Sequence, residues 1–340
     1  MSRFSAITDN PHDNRFNGKT GVLLTNLGSP DEATAPALRR YLREFLSDPR
    51  IVEIPRILWM IILHGIILRV RPAKSAKNYA SIWTEKGAPL IQITQAQRDK
   101  LQKKLNKDGY DNVEIVMAMR YGNPSIESGL NTLREKGITR IIVLPLYPQY
   151  SSATTGSTFD AIAKVLTKWR WVPELHFLNG YCDEASYIDA LANSIKEDLE
   201  KHGTPQKLVF SYHGTPRLFL ERGDPYYCFC MKTTRLVKER LNLNDDLVQT
   251  TFQSRFGKAE WLKPYTDHTL AEYPKNGIED VAIISPAFSA DCLETLEELE
   301  VENREIFVDA GGKKYRYIAA LNDRDDHIRA LAKLLKPYLE

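Results

Sequence analysis

Three stretches of the chain carry side chains able to take protons or hold a metal. The first is Phe210-Ser211-Tyr212-His213-Gly214-Thr215-Pro216. A strand running straight into His-Gly-x-Pro leaves an imidazole at the strand's carboxyl end, held by a tight turn. An unperturbed pKa of about 6.5 suits that ring to reversible proton transfer near neutral pH. The second stretch begins at Cys292-Leu293-Glu294-Thr295-Leu296-Glu297-Glu298. On a helix, Glu294, Glu298 and Glu302 recur every four residues and share one face. Neighbouring like charges there repel by roughly a few tenths of a kcal/mol per pair. The pattern reads either as a solvated acidic face or as a carboxylate ladder that conducts a divalent cation or protons, since hard oxygen ligands suit a metal that must be released. The third is Leu146-Tyr147-Pro148-Gln149-Tyr150-Ser151-Ser152-Ala153-Thr154-Thr155-Gly156-Ser157. It is a polar, tyrosine-rich loop that leaves a buried strand and enters a helix near Thr155, where Ser and Thr can cap.

The elements that must position these groups follow a strand–helix rhythm. Apolar runs of strand length occupy 21–27, 113–120, 140–148, 174–181, 207–213, 247–254 and 280–288. Most are continuous rather than alternating, as strands covered on both faces are. Helical patterns fill 92–107, 125–136, 185–202, 226–241 and 325–339. This order predicts an α/β fold with parallel sheets and right-handed crossovers. The rhythm occurs twice, which predicts two similar doubly wound, Rossmann-like domains with the chemistry in the cleft between them, at the carboxyl ends of the strands. Asn26, Arg120, Tyr147 and His213 all fall at such ends. The expected division is an N-terminal arm over 1–17, a first α/β domain over 18–154 with an apolar lip at about 51–74, a second over 155–324, and a C-terminal helix over 325–340 that packs back on the domains. Neither G-x-G-x-x-G nor a Walker loop is present, and Pro30 removes an amide donor from the Gly28-Ser29-Pro30 turn. Nucleotide chemistry is therefore disfavoured.

Composition narrows the field further. At 340 residues the chain exceeds one ordinary hydrophobic core. Lys and Arg number 46 against 44 Asp and Glu, a balance that argues against nucleic-acid binding by phosphate neutralisation. The opening residues MSRFSAITDNPHDNRF are polar, and four cysteines do not make a disulfide scaffold, so a reducing cytoplasm is expected. One stretch stands apart: Ile57 to Leu68, ILWMIILHGIIL, bounded by Arg56, Arg69 and Arg71. As a helix it rises about 18 Å, short of the roughly 30 Å hydrocarbon core. It is either a buried helix or a surface lip dipping into a membrane interface, and the arginines and Trp59 favour the second.

Taken in register, these motifs resemble the ferrochelatases over roughly residues 18 to 340. The Tyr147-Pro148-Gln149-Tyr150-Ser151 loop with its Thr-Thr-Gly-Ser continuation, the His213-Gly214 turn and the Glu294-Thr295-Leu296 stretch look like that family's signatures. Leu24 to Pro30, Arg120-Tyr121, Gly223-Asp224-Pro225-Tyr226 and Trp261 match further segments. The resemblance implies a lyase that inserts Fe²⁺ into protoporphyrin IX with release of two protons, the last step of heme biosynthesis. It implies His213, Glu294 and Glu298 as catalytic residues, with His213 and Glu294 meeting the metal. Leu27, Tyr79, Arg120, Tyr121, Tyr147 and Trp261 would bind the porphyrin, and Arg71 and Lys74 its propionates. Leu27 stands where coproporphyrin-using relatives tend to have tyrosine, which favours protoporphyrin.

The apolar stretch corresponds to the family's substrate lip, which implies a cytoplasmic protein held peripherally on the inner-membrane surface. The oxidase that precedes it in heme synthesis is the expected protein partner. Two departures stand out. Cys292 occupies the place of a histidine in some members, and Ser152 the place of a cluster cysteine. With the chain ending at Glu340, a [2Fe–2S] cluster is not expected, although Cys182, Cys228, Cys230 and Cys292 amount to four thiols. No resident cofactor is required, and Fe²⁺ is a substrate.

Overall fold

In the computed structural model, which describes Phe4 and residues 18–257 and 259–339, eight strands form two parallel sheets of four. The expected arm over 1–17 lies, Phe4 apart, outside the described residues. The first sheet contains β1 (Thr20–Asn26), β2 (Val113–Met119), β3 (Arg140–Pro145) and β4 (Glu174–Phe177), in the order β2-β1-β3-β4. The second contains β5 (Lys207–His213), β6 (Val248–Gln253), β7 (Asp280–Ile284) and β8 (Lys314–Ile318), in the order β6-β5-β7-β8. The two sheets thus repeat one topology. In each, the chain first pairs on one side of the founding strand and then crosses to the other, which makes a switch point at the carboxyl ends of β1 and β5. His213 is the last residue of β5.

Continuous apolar sequence builds the sheet interiors. Val22, Leu23 and Leu24 of β1, Leu208, Val209 and Phe210 of β5, and Val281, Ala282 and Ile283 of β7 are fully buried. Three predicted strands end well short of their expected boundary: β3 at Pro145, β4 at Phe177 and β7 at Ile284. Their apolar sequence continues because the following loops are themselves buried, as Leu146, Tyr147 and Leu178 are. The eighth strand, Lys-Tyr-Arg-Tyr-Ile, has no counterpart in the sequence reading. It is a sheet edge, with its polar residues at least partly exposed, and so lacks the continuous apolar run of a central strand.

The chain divides into two compact units. One comprises residues 1–146, 152–180 and 331–340, the other 147–151 and 181–330. A single boundary near residue 154 therefore differs from the structure. Residues 152–180 stay with the first unit because β4 pairs with β3, Arg140 opposite Glu174 through Val143 opposite Phe177. The helix Asp325–Leu335 is shared across the division at Leu331.

The apolar stretch forms a helix over Arg56–Ile62, one π-helical turn over Leu63–Ile67, and a second helix over Leu68–Ile82. Trp59, Leu63, Leu68 and Pro72 are buried. Ile57, Ile61, Ile66 and Val70 are 80%, 67%, 61% and 71% exposed. Both series step by four, five and four residues, so the π turn inserts the one extra residue that keeps each stripe in line. Trp59 belongs to the inner stripe: its indole N–H donates to the Leu46 carbonyl at 2.6 Å. It is a core residue and not an interfacial anchor. No helix among the described residues is long and apolar enough to cross a membrane.

Candidate active site

Sequence-predicted residues assemble in two groups, one within each unit. In the second unit, β5 delivers His213 at the switch point, half-buried. Its Nδ1 lies 2.7 Å from the Gly214 carbonyl. A carbonyl only accepts, so Nδ1 carries the proton and the neutral ring keeps its lone pair on Nε2. Trp261 and Phe288 flank the imidazole, with ring centroids 6.5 and 6.4 Å away. Gly214 is required at the turn: a Cβ there would stand 2.8 Å from the Gln253 carbonyl and 3.2 Å from the Trp261 ring.

Across the ladder, His213 faces Gln253, the last residue of β6. Gln253 and Ser254 reach the acidic helix. Gln253 Nε2 donates to the Glu294 carbonyl at 2.8 Å and to Glu298 Oε2 at 3.3 Å. Ser254 gives its backbone N–H to Glu298 Oε1 at 2.7 Å and its hydroxyl to Oε2. Burial first, and the neighbouring Glu294 charge against these stabilising bonds, push the Glu298 carboxyl up to about 7.

The acidic helix itself differs from expectation. Residues Glu294–Glu302 are π-helical rather than α-helical, and the Asn303 amide bonds back to the Glu298 carbonyl five residues earlier. Side-chain donors explain the wider turn. Gln253 occupies the Glu294 carbonyl, and Asn303 Nδ2 donates to the Glu298 carbonyl at 2.8 Å. Along the ladder Glu302 is exposed, while Glu298 and Glu294 are half-buried. The Cys292 thiol is buried, and burial together with the adjacent Glu294 charge drives its pKa far up, so it stays a neutral thiol.

Asp291, which sequence reasoning passed over, anchors the start of this helix. It accepts from Thr295 Oγ1 at 2.9 Å, the Tyr317 hydroxyl at 2.7 Å and Asn322 Nδ2 at 2.7 Å. The tyrosine-rich loop is tied into the same unit. Gln149 Nε2 donates to Thr233 Oγ1 at 3.0 Å, and Ser151 Oγ to Asp224 Oδ2 at 3.1 Å. Tyr147 on that loop is buried.

In the first unit Leu27, Arg120 and Tyr121 come together, with the Tyr121 amide on the Leu27 carbonyl at 2.9 Å. Their centre is Asp48, a buried carboxylate that the sequence reading also missed. Asp48 accepts from Ser157 Oγ at 2.5 Å, the Tyr121 hydroxyl at 2.8 Å, the Arg50 amide at 2.8 Å, and Arg120 Nη2. Burial alone would raise this carboxyl. The bonds from Ser157, Arg50 and Tyr121 and the Arg120 charge outweigh it and hold Asp48 below the usual carboxylate range. Tyr121 is fully buried, with its hydroxyl already bonded, so it braces Arg120 rather than presenting an open face. Arg71, Lys74 and Tyr79 follow along the helix Leu68–Ile82: Arg71 half-buried, Lys74 exposed, Tyr79 buried. The only hint of Asp48 in the sequence is one acid set among apolar residues in Phe-Leu-Ser-Asp-Pro-Arg-Ile.

Comparison with known proteins identifies the family and the fold. The Ferrochelatase family profile matches residues 19–339. Ferrochelatase 2 of Shewanella oneidensis is 63% identical over 322 residues, covering 95% of this chain and 98% of that protein. The ferrochelatase of Shewanella denitrificans is 57% identical, covering 94% and 98%. Among solved structures, the sirohydrochlorin chelatase SirB of Bacillus subtilis subspecies spizizenii, in complex with cobalt, superposes with a TM-score of 0.54 at 12% identity over 94% of each chain. CbiX, described as the terminal enzyme of siroheme biosynthesis in denitrifying bacteria, gives 0.53 at 11% identity over 94% of this chain and 100% of that one. At such identities the structural likeness speaks for the fold alone.

Proposed function

The chain belongs to the ferrochelatase family, and on that premise we propose that it inserts Fe²⁺ into protoporphyrin IX, with His213 as the proton acceptor and Glu298 and Glu294 as the relay. It is a metal chelatase of heme synthesis. The observation that carries the residue assignment is the pairing at the strand ends: an imidazole with a free Nε2 lone pair and, opposite it, the Gln253–Ser254 corner that holds the Glu298 carboxyl of the acidic helix, a group that burial pushes up to about 7.

Metallation replaces two pyrrole N–H protons by one Fe²⁺, so two protons must leave as two metal–nitrogen bonds to formerly protonated nitrogens form. His213 Nε2 takes a proton from the ring face. Glu298, with a proton affinity close to imidazole's, accepts it in turn, and exposed Glu302 hands it to water. Fe²⁺ meets His213 and Glu294 as a substrate in passage. No electrons are exchanged, so the reaction needs no resident redox cofactor and no [2Fe–2S] cluster.

Ring binding is assigned to Leu27, Tyr79, Arg120, Tyr147 and Trp261, with Tyr121 bracing Arg120 from behind and Arg71 and Lys74 for the propionates. Leu27 is partly buried against the apolar cluster that contains Tyr121, Leu63 and Leu68, and its side chain offers no donor. That suits the vinyl groups of protoporphyrin better than the additional propionates of coproporphyrin III. The outward stripe Ile57, Ile61, Ile66 and Val70, beside Arg56 and Arg69, supports peripheral attachment to the cytoplasmic face of the inner membrane. There the product of the preceding oxidase would be received.

Anaerobic Fe²⁺ insertion, run side by side with protoporphyrin IX and coproporphyrin III, tests the proposal. Faster metallation of protoporphyrin is expected. Preference for coproporphyrin would overturn the reading of Leu27, and no turnover with either ring would overturn the activity.

A further inference from the structure

Ser254 is one of three non-glycine residues among the described ones with a positive φ, at 63°. Glycine or asparagine is the ordinary choice for left-handed backbone, so a serine there calls for a reason. The turn aims its amide at one oxygen of Glu298, and the side chain reaches the other. A glycine would keep the first bond and lose the second.

The residue before it fastens this corner to the strand that carries the histidine. Gln253 Oε1 accepts from Ser211 Oγ at 2.7 Å, two residues before His213, and the Gln253 carbonyl accepts the Gly214 amide at 2.8 Å, one residue after it. Ser211 is buttressed by Thr266 Oγ1 at 2.8 Å. Glu298 is thereby held to the same two strand ends that set His213, through a side chain that strained backbone places.

We propose that Ser254, seated by Gln253, is a positioning residue for the metallation chemistry: its left-handed backbone and hydroxyl clamp both oxygens of Glu298 and keep the acidic π-helix in line with His213. The inference rests on the functional reading above and deepens it.

Ser254→Gly isolates the hydroxyl while relieving the backbone, and it is to be made alone and together with Glu298→Ala. Alone, it lowers kcat about tenfold, the loss expected for one hydrogen bond to a charged group, with KM for porphyrin and for Fe²⁺ within twofold and no fall in melting temperature. In the Glu298→Ala background, it changes kcat less than twofold. A near-parental rate, a change confined to KM, or the same loss in both backgrounds would overturn the proposal. Ser254→Ala gives a second comparison should the glycine variant melt early. Hydrogen exchange reads the clamp without turnover. Amides of residues 294–302 should exchange faster in Ser254→Gly, and unchanged exchange would refute the clamp even if the unsubstituted chain metallates nothing, an outcome that by itself counts only against the functional reading.

Discussion

His213 and Gln253 are register partners across the β5–β6 ladder, and each ends its strand. The pairing puts a proton acceptor and the support of its carboxylate relay on adjacent strands of one sheet. A ring whose Nδ1 is committed to the Gly214 carbonyl presents one defined nitrogen to substrate. His213→Ala should therefore cut kcat by about 10²-fold or more, the scale of general base catalysis. Porphyrin binding, followed by absorbance, should persist because Trp261 and Phe288 remain. A rate within a few-fold of the parent would remove His213 from the proton path.

Glu298 makes a pH-dependent prediction of definite sign. Its folded pKa of about 7 lies above the ordinary value of 4.5. The native state therefore holds a proton that the unfolded chain has released, and the contribution to stability is present below pH 4.5 and lost as pH rises through 7. At roughly 1.4 kcal/mol per pH unit, the loss is about 3 kcal/mol. Glu298→Gln should melt closer to the parent at pH 5 and above it at pH 8. Buried His327 works the other way: burial lowers its pKa to about 4, so its contribution fades as pH falls from 6.5 toward 4. The parent's own profile is flattened where the two windows overlap, which is why the variant-minus-parent difference is the quantity to measure. A difference that does not change with pH would contradict the raised Glu298 pKa.

What the sequence showed and what it hid divide on physical lines. β5 and the helices Ala185–His202 and Tyr226–Leu241 have the boundaries predicted from hydrophobic pattern, because each carries an uninterrupted signal between turn residues. His213 was legible because a strand end is readable and imidazole is rare. Gln253 and Ser254 were not. Nothing in an amide or hydroxyl announces that it supports a carboxylate, and Ser254 adopts a backbone normally advertised by glycine. The every-four spacing of Glu294, Glu298 and Glu302 reads alike for an α- and a π-helix. Only the side chains that enter the helix ladder, from outside in the case of Gln253, decide between them.

Asp48 is the point on which the first unit's site depends. Its carboxylate holds Arg120, Tyr121 and Ser157 together while it and Arg120 are largely shielded from water. Removing one member of a buried pair leaves the other charge uncompensated, at a cost of about 3–5 kcal/mol. Asp48→Asn should lower denaturant-derived stability by about 3 kcal/mol and raise KM for porphyrin as Arg120 loses its fixed position. An unchanged KM alongside the stability loss would confine Asp48 to structure.

The lip offers a test in which exposure and burial predict opposite outcomes on one helix. Ile57, Ile61 and Ile66 lie on the outward stripe, while Leu63 is fully buried two to three residues from the last two. Ile62 is half-buried and packed on the inner cluster, so it belongs with the core in choosing substitutions. Replacing Ile57, Ile61 and Ile66 together by serine should leave the melting temperature almost unchanged, since little packing is lost. Sedimentation with anionic liposomes should fall, because each isoleucine withdrawn from an interface forfeits about 1.5–3 kcal/mol at full burial. Leu63→Ala should do the reverse, costing about 2–5 kcal/mol of stability with liposome binding retained in the folded fraction. Deleting Gly65 would turn the π turn back toward α geometry and bring Ile57, Ile61, Ile66 and Val70 to an even spacing of four residues on one face. It should therefore leave liposome binding unchanged, and a marked fall would show that the π turn itself matters to the membrane.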